Sequence, residues 1–582
     1  MVGDSISGEA GAPFRCKEEP IENERPLKVR VIGAGLSGVY LGIRIPQRLR
    51  NIDFKIYEKN GGIGGTWWEN RYPGCACDIP AHSYQFTFEP NKAWSGFYAT
   101  STEICKYIDG VAEKYGAKRF VQLHHEVVDC TWVESLKQWR VTVHRLDTKE
   151  DIVETVDIVV TARGSLNKTK WPQIPGIDDF EGEKMHSSAW NEKYDFRNKK
   201  IAVIGGGSSS IQIVPELQKV DGAQLHVFVR NKTWIINRFG DYIMGQMGWD
   251  TKDLEISDER KAEWEESDEA YLKFRKLLDD DGNFVHFSSL TGSDMQRTFI
   301  ETFSKVTQDR LLNRPDLLDV FSPPFGVGCR RITPGPGYLE ALCEPNVNLV
   351  TRNIEVINKT GLVVEGRQID ADVLVCATGF DTSCIPGFTV VGRNGVTIAD
   401  KFAPFPKSYL SLAVDGFPNY FMMLGPNSGI AAGSLNPVLE AEGDYIIKCI
   451  RKLQKEDYLT MAPKKARVED FSDLVGEYFK RTVYMDECKS WYKTEGGTGG
   501  RISALWPGSM LHLLEALRAP RWEDFDFEAK DQNRLRWLGN GFSVCLTGGG
   551  DPSFYLNPDV VDVPPAGTPE MDLRYKARPF SH

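Results

Sequence analysis

Two glycine-rich turns have the spacing that lets a backbone hold phosphate groups. Residues 33–38 read GAGLSG, a complete GxGxxG pattern, and residues 205–210 read GGGSSS, which fits GxGxxS. Glycines at these positions allow a tight turn and a close approach to a pyrophosphate, and the free N–H groups of a following helix attract anions. Each turn therefore predicts a site for a dinucleotide.

The residue at the end of the next strand distinguishes the two predicted sites. Glu58 lies 25 positions after Gly33, and Arg230 lies 25 positions after Gly205. A carboxylate there accepts hydrogen bonds from ribose hydroxyls, whereas an arginine can bind a 2′-phosphate through two N–H groups. The first site therefore fits the unphosphorylated ribose of FAD, and the second fits NADPH. The alternative for Arg230 is an ordinary solvated charge at a strand end.

Both turns stand in the strand–turn–helix order of a nucleotide-binding fold. Apolar runs at 29–32 and 201–204 lead into the turns, and further strands are expected at 54–57 and 225–229. This repeated order predicts an α/β fold with two Rossmann-like dinucleotide-binding domains, one for FAD and one for NADPH. Another apolar run, at 371–377, predicts a further buried strand.

The pattern between these strands changes to helices, which predicts a helical insertion in the NADPH domain. One helix is expected to begin at Ser257 and end near Gly282, and another begins with a capping box of Ser293 and Gln296. An amphipathic helix is also expected near 437–454. The apolar faces expected to pack into the core are Trp264, Tyr271, Phe274 and Leu278 on the first helix, and Met295, Phe299, Phe303 and Val306 on the second.

These elements divide the chain into seven predicted segments. A flexible N-terminal arm covers residues 1–26, and a C-terminal extension covers 533–582. The segments between them are the FAD-binding domain (27–170), the NADP-binding domain (171–235), the helical insertion (236–325), the second part of the NADP-binding domain (326–384) and the second part of the FAD-binding domain (385–532).

The composition is that of an ordinary globular protein, with 41% hydrophobic and 26% charged residues. The formal net charge of −11 and the lack of a basic stripe argue against a nucleic-acid partner. The first residues carry no basic region followed by an apolar one, so we expect no secretory signal, and no apolar run approaches about 18 residues, the length a membrane-spanning helix needs. We therefore expect a cytoplasmic protein that does not bind a membrane.

The twelve cysteines are scattered along the chain. The tightest pair, Cys75 and Cys77, has CxC spacing, and no second pair completes a zinc site. We therefore expect reduced thiols and no metal. This spacing also differs from the redox-active cysteine pairs of flavoprotein disulfide reductases, which share the layout of two nucleotide sites.

Three segments resemble fingerprints of the flavoprotein monooxygenases that include the Baeyer–Villiger enzymes. Residues 180–191 (FEGEKMHSSAWN) match FxGxxxHxxxW(P/D) except at the last position, Asn191. Residues 64–78 (GGTWWENRYPGCACD) match [A/G]GxWxxxx[F/Y]P[G/M]xxxD throughout, and residues 377–381 (ATGFD) resemble a third segment. The likeness runs from about residue 28 to 530. The chain thus looks like a type I, class B flavoprotein monooxygenase of the Baeyer–Villiger kind and of the fungal type.

The resemblance implies an FAD- and NADPH-dependent enzyme that turns a ketone into an ester or lactone. In such enzymes NADPH reduces FAD, O₂ gives a flavin peroxide, and the peroxide anion attacks the carbonyl carbon. The resemblance assigns stabilisation of this anion to Arg331, with Asp78 as its partner. It also places Trp491, before a glycine-rich stretch, on a mobile loop over nicotinamide and substrate. The alternative for Arg331 is an interdomain salt bridge.

The candidate cofactor-binding residues come from the two turns, the strand ends and the second fingerprint. For FAD they are Gly33, Gly35, Gly38, Glu58, Gly65, Thr66, Trp67, Asp78 and Tyr84. For NADPH they are Gly205, Gly207, Ser208, Ser209, Arg230 and Arg330. The other expected partners are the ketone and O₂, and the chain is expected to be a monomer.

Besides Asn191, two positions depart from the family pattern, and two other functions stay open. Arg163 stands where a second ATG segment is usual, and Ser210 closes the second turn where Gly or Ala is usual. Both departures leave room for altered domain motion or cofactor affinity. The other functions are an N- or S-oxygenating flavin monooxygenase and a catalytically silent flavin-binding protein. Trp190 disfavours the first, because those enzymes usually carry Tyr or Phe there.

Overall fold

The computed structural model describes residues 14–22, 24–249 and 254–556. Within these residues the strands are β1 (Leu27–Ile32), β2 (Ile52–Tyr57), β3 (Val121–Gln122), β4 (His125–Val133), β5 (Gln138–Arg145), β6 (Asp151–Val156), β7 (Ile158–Thr161), β8 (Glu183–His186), β9 (Lys200–Ile204), β10 (Gln224–Phe228), β11 (Ile235–Ile236), β12 (Thr333–Pro334), β13 (Val347–Val350), β14 (Val356–Asn358), β15 (Gly361–Val364), β16 (Arg367–Asp370), β17 (Val373–Cys376), β18 (Thr389–Val391), β19 (Tyr420–Met422), β20 (Tyr458–Pro463) and β21 (Phe525–Ala529). The α-helices are α1 (Leu36–Arg48), α2 (Thr66–Glu69), α3 (Ser101–Lys114), α4 (Ser208–Gln218), α5 (Asp241–Gln246), α6 (Asp258–Glu266), α7 (Asp268–Phe284), α8 (Asp294–Arg310), α9 (Leu318–Phe321), α10 (Tyr338–Cys343), α11 (Ile398–Lys401), α12 (Leu435–Lys455), α13 (Lys465–Tyr478) and α14 (Met510–Ala516).

The first glycine turn belongs to a parallel five-stranded sheet in the order β19-β7-β1-β2-β3. Val29, Val31 and Ile56 are fully buried in it, as expected for strands covered on both faces. Helix α12 packs against α1 so closely that a Cβ on Gly443 would lie 2.6 Å from the Tyr40 ring. This packing fixes the start of α1, the helix that follows the turn.

The second glycine turn belongs to another parallel sheet, in the order β13-β10-β9-β17-β8. Strand β17 enters this sheet after the whole helical region and pairs with both β9 and β8. The predicted α/β fold with two Rossmann-like units is therefore confirmed. The predicted domain boundaries remain predictions.

The helical region between the two parts of this sheet differs in detail from the expectation. The first expected helix is two helices, α6 and α7, because the chain breaks at Ser267, whose side chain caps α7. Helix α7 passes through Gly282 and ends at Phe284. The predicted apolar face is buried across both helices, at Trp264, Tyr271, Phe274 and Leu278.

The sequence patterns missed a four-stranded sheet in the order β18-β4-β5-β6. It lies between β3 and β7 along the chain, with β18 added from a distant segment. Trp132 and Trp139 pack edge to face within its core. The sheet was missed because its strands carry no glycine motif and mix charged with apolar residues.

The described part of the predicted N-terminal arm is held in place. Glu22 is buried and forms ion pairs with Arg451 and Lys455, and the backbone N–H of Ile21 donates to Phe542 O. A flexible arm is therefore the wrong description of residues 14–22. Residues 1–13 and the last part of the predicted C-terminal extension, 557–582, lie outside the described residues.

Ten of the twelve cysteines are free thiols, and Cys329 is disulfide-bonded to Cys488. The expectation of reduced thiols is therefore wrong for this pair. The two cysteines are 159 positions apart, so no spacing pattern pointed to them. Among the described residues, the helices are all too short or too polar to cross a bilayer.

Candidate active site

A cavity of about 450 Å³ brings together the three residues proposed for catalysis. Asp78, Arg331 and Trp491 all line it, although they come from distant parts of the chain. Helix α7 and the segment 424–435 complete its walls. A second cavity, of about 200 Å³, adjoins the first along Thr66, Trp67 and Tyr84 and contains the first glycine turn. The two cavities therefore lie side by side, with the first glycine turn in one and the proposed catalytic residues in the other.

Arg331 and Asp78 form a direct ion pair in the wall of the larger cavity. Nη2 of Arg331 donates to both carboxylate oxygens of Asp78, at 2.8 Å each. The Asp78 carboxylate is the main reason that the pKa of Arg331 stands above its ordinary value. Arg331 therefore stays protonated, and its planar set of five N–H donors lets it bind a ligand in the cavity as well as Asp78.

Two neighbouring segments position Arg331. Before it, Val327 is hydrogen-bonded to the Gln296 side chain, which accepts from the Val327 N–H at 3.0 Å and donates to its carbonyl at 2.9 Å. After it, Thr333 pairs with Ile235 in the short β11–β12 ladder. The Ser293 half of the expected capping box is present. Gln296 fails to complete the box because its side chain reaches the Arg331 segment instead.

Trp491 reaches the same cavity from a different segment of the chain. Its ring centroid is 4.7 Å from that of Tyr492, which is buried beside the Arg331 guanidinium. Lys493 orders the same segment, because its ammonium group donates to the carbonyls of Asp486 and Cys488 at 2.5 and 3.2 Å. The tryptophan is thus held by its chain neighbours while its ring lines the cavity.

The first glycine turn forms a cradle that suits the pyrophosphate of FAD. Gly33 has φ +108°, and a Cβ there would lie 2.7 Å from Ala162 O. Gly35 and Gly65 face each other so closely that a Cβ on Gly65 would be 3.0 Å from the Gly35 Cα. Helix α1 begins directly after this cradle without a side-chain cap or an acidic residue in its first turn. Its N–H groups are therefore free to bind an anion.

Glu58 lies in the wall of the smaller cavity, where the ribose of FAD would be held. Its carboxylate accepts from the N–H groups of Ala34 and Asn60, both at 2.8 Å. Burial raises the pKa of Glu58, and these two backbone donors oppose that shift. Glu58 thus fixes the glycine turn and still presents acceptor lone pairs to the cavity. The residues present fit FAD.

The second turn and the end of β10 suit the phosphates of NADPH. Gly205 has φ +136°, and a Cβ there would lie 2.2 Å from Ala377 O. Helix α4 begins without a side-chain cap, and its Ser208 and Ser209 line the larger cavity. Arg230 is exposed just beyond β10. Nη1 of Arg330 donates to Lys232 O at 2.8 Å, so both arginines lie at this strand end.

Several predicted residues do not line either of these two cavities. They are Gly38, Gly205, Gly207, Arg230 and Arg330. Gly38 instead allows tight packing, because a Cβ there would lie 2.0 Å from Gly33 O. Trp190 stacks on Phe196, away from both cavities. Arg163, by contrast, lines both cavities and donates to Cys384 O at 2.8 Å.

The sequence patterns missed two walls of the larger cavity. One is the segment 424–435, which ends at the N-terminus of α12, and the other is the α7 face with Leu278, Asp279 and Asp281. Burial raises the pKa of both aspartates. The turn signal in 425–429 (GPNSG) could have marked the first wall, whereas nothing in the pattern of α7 distinguishes a cavity wall from core packing.

A buried carboxyl group supports the first of these walls. Glu442 in α12 is fully buried and accepts from the Leu424 N–H at 2.8 Å, and burial raises its pKa to about 8. At pH values between the ordinary pKa of a glutamate in the unfolded chain and about 8, the Glu442 carboxyl group is protonated only in the folded chain. Folding therefore takes up a proton there, and stability falls as the pH rises.

We expect Glu442→Gln to weaken this pH dependence. A glutamine cannot titrate, so the free energy of unfolding should fall less between about pH 5 and pH 8, by on the order of a few kcal/mol. Urea unfolding at several pH values measures the difference, with the exposed Glu265→Gln as control. Parallel pH profiles for Glu442→Gln and the wild type would contradict the assignment.

Comparisons with known proteins agree with this geometry. A family model described as flavin-binding monooxygenase-like matches residues 27–250. The chain is 37% identical to the FAD-binding monooxygenase tazF of Aspergillus terreus over 538 residues, which cover 91% of this chain and 95% of the relative. It is 31% identical to a Baeyer–Villiger monooxygenase of Pseudomonas aeruginosa, over 83% of this chain and 88% of the relative.

Solved structures share the fold. The closed crystal structure of a cyclohexanone monooxygenase superposes with a TM-score of 0.74 at 23% identity, covering 87% of this chain and 99% of that one. A steroid monooxygenase bound to NADP superposes with a TM-score of 0.70 at 24% identity, covering 86% and 99%. With the sequence relatives, these findings show that the chain belongs to the family of FAD-binding monooxygenases that includes the Baeyer–Villiger monooxygenases.

Proposed function

We propose that this monooxygenase inserts one oxygen atom of O₂ beside the carbonyl group of a ketone and releases an ester or a lactone. Its cofactors are FAD and NADPH. The observation that carries the proposal is the Arg331–Asp78 ion pair in the wall of a large cavity, next to the glycine cradle and Trp491. Such a pair places a permanent positive charge where an oxygen-centred anion would need one.

The residues that would hold the cofactors follow from the two glycine turns. Gly33, Gly35, Gly65 and the first turn of α1 would hold the pyrophosphate of FAD, and Glu58 its ribose. When bound, FAD supplies the chemistry that accepts a hydride from NADPH and then activates O₂. The second turn, with Arg230 and Arg330, would hold NADPH.

The chain itself supplies charge stabilisation and an enclosed site. Negative charge develops on oxygen when a ketone carbonyl is attacked, and Arg331 can donate hydrogen bonds to that oxygen. Asp78 orients the guanidinium and offsets the cost of burying a cation. Trp491 lines the cavity, and in the proposed reaction its segment would limit the access of water, which would strengthen the charge interactions inside.

The class of substrate that stimulates NADPH oxidation distinguishes this proposal from its two alternatives. Ketones should stimulate NADPH oxidation and be consumed, whereas amines and sulfides should have little effect. Stimulation by amines or sulfides alone would favour an N- or S-oxygenating enzyme. A chain that binds FAD yet consumes no O₂ with NADPH would be a silent flavin-binding protein.

Arg230→Ala is expected to weaken the binding of NADPH about ten- to a hundredfold and to leave NADH binding nearly unchanged. One charge-assisted hydrogen bond to the 2′-phosphate accounts for a loss of this size. Stopped-flow measurement of flavin reduction at increasing concentrations of each cofactor gives both affinities. Arg197→Ala, another exposed arginine of the same domain, is the control. Equal weakening of NADPH and NADH would show that Arg230 does not bind the 2′-phosphate.

A further inference from the structure

The disulfide between Cys329 and Cys488 connects the two segments that carry the proposed catalytic residues. Cys329 stands two positions before Arg331, and Cys488 stands three positions before Trp491. The Cα atoms of the two cysteines are 6.4 Å apart. A covalent bond therefore joins the guanidinium side of the cavity to the tryptophan side, within a few residues of both.

Other contacts also hold this junction, since Tyr492 is hydrogen-bonded to Arg331 and its carbonyl accepts from the Ser503 N–H at 2.9 Å. The Gly326 N–H donates to Asp486 Oδ2 at 2.8 Å, and a Cβ on Gly326 would lie 2.7 Å from a methyl group of Val483. Lys493 bonds to carbonyls of its own segment, so it orders that segment without fastening it to the Arg331 side. Gln296 fixes the Arg331 side to α8. We therefore expect loss of the disulfide to loosen mainly the stretch from Asp486 to Trp491, while Gln296 still holds the Arg331 side and Tyr492 stays bonded to Ser503.

The two cysteines differ in exposure. Cys329 is fully buried, whereas Cys488 is partly exposed in a segment of short turns. Thiol–disulfide exchange needs a thiolate to reach one sulfur atom of the bond, so Cys488 is the point of attack. The bond is thus placed where a thiol can open it from solvent without unfolding the core.

We propose that Cys329 and Cys488 form a thiol-sensitive tether that keeps Trp491 in place over the Arg331 cavity. A dithiol reductant attacks Cys488 Sγ, the bond to Cys329 breaks, and the second thiol of the reductant releases Cys488. Two electrons and two protons pass to the protein, and the reductant leaves as a disulfide. Hydrogen peroxide reverses the change, because it takes two electrons and both thiol protons and becomes two water molecules.

The consequence for the reaction rests on the proposed function. With the tether open, the Trp491 segment should close the cavity less completely, and water should reach the reacting oxygen. NADPH would then be consumed without product, and O₂ would leave as hydrogen peroxide. We expect the amount of NADPH consumed per ester formed to rise about two- to fivefold after reduction.

The first test needs no activity. Peptide mapping of the FAD-loaded protein, alkylated without reduction, should recover residues 329 and 488 in one linked pair. After dithiothreitol and desalting, both should be alkylated, and limited proteolysis should cut faster within 486–500. Free thiols at both positions in the protein purified without reductant would overturn the proposal, and so would unchanged proteolysis after reduction.

The second test measures how much NADPH is consumed per ester formed, in matched samples. Reduced wild-type enzyme and Cys488→Ser should share the raised ratio of NADPH to ester, and reoxidation should restore the ratio only in the wild type. Cys16→Ser, which removes an exposed free cysteine, should behave as the wild type does. An equal ratio before and after reduction would overturn the proposed effect on coupling. If no ketone is oxidised in any sample, the proposed function fails, while mapping and proteolysis still decide whether the tether exists.

Discussion

Replacing Arg331 with alanine is expected to lower ester formation about a hundred- to a thousandfold while NADPH oxidation continues. Removing one preorganised donor to a developing oxyanion typically costs about 2.7–4 kcal/mol of transition-state stabilisation. Hydride transfer from NADPH requires the nicotinamide and the flavin to lie close together in the right orientation. This placement depends mainly on the glycine turns and their helices. The variant should therefore consume NADPH in air and release hydrogen peroxide. Product analysis by gas chromatography and a peroxide assay measure the two outcomes.

Two companion variants show which property of the ion pair matters. Arg331→Lys keeps a positive charge but loses the planar set of donors, so it should recover only part of the activity. Asp78→Ala leaves the guanidinium in place without the carboxylate that orients it, so its defect should be milder than that of Arg331→Ala. Ester formation by Arg331→Ala at nearly the wild-type rate would refute the role of Arg331.

Gly35→Val is expected to weaken FAD binding by roughly a thousandfold. The backbone of Gly35 has φ −77° and ψ −166°, so a valine is sterically allowed there. Its methyl groups would, however, fill the cradle between Gly35 and Gly65 that the pyrophosphate needs. Losing about two charge-assisted hydrogen bonds, each worth roughly 1.5–3 kcal/mol, gives an effect of this size. Titration of apoprotein with FAD, followed by flavin fluorescence, measures it.

A glycine outside the cradle provides the control for this experiment. Gly110 is an exposed residue of α3, and a Cβ there would meet nothing within 4 Å. Gly110→Ala should therefore bind FAD as the wild type does and be slightly more stable, since alanine favours a helix. The cradle assignment would be wrong if Gly35→Val retained FAD at wild-type affinity with an unchanged unfolding curve.

Local sequence patterns predicted the parts of the fold that depend on local chemistry. The strand–glycine–helix order required at Gly33 and Gly205 is present in the structure, because only glycine tolerates the positive φ and the close backbone approach found there. The apolar periodicity of α7 likewise predicted which of its residues are buried. The break at Ser267 was missed because a serine that caps a new helix resembles a polar residue on the outer face of a continuous one.

Local sequence patterns could not predict contacts between distant segments of the chain. The Arg331–Asp78 pair was expected only from the family resemblance, since 253 positions separate the two residues. The role of Gln296 was misjudged for a similar reason, because its side chain bonds to Val327 rather than to the start of its own helix. Cavity walls and the disulfide likewise depend on how whole units pack, which residue spacing does not encode.

The most direct test of the central claim follows one oxygen atom from O₂ into the product. The enzyme is supplied with FAD, NADPH, ¹⁸O₂ and a series of linear and cyclic ketones, and any ester formed is hydrolysed and examined by mass spectrometry. We predict one heavy oxygen per ester, located in the alcohol half, because the inserted atom becomes the bridging oxygen. Heavy oxygen found only in hydrogen peroxide and water, with the ketone recovered unchanged, would contradict the account.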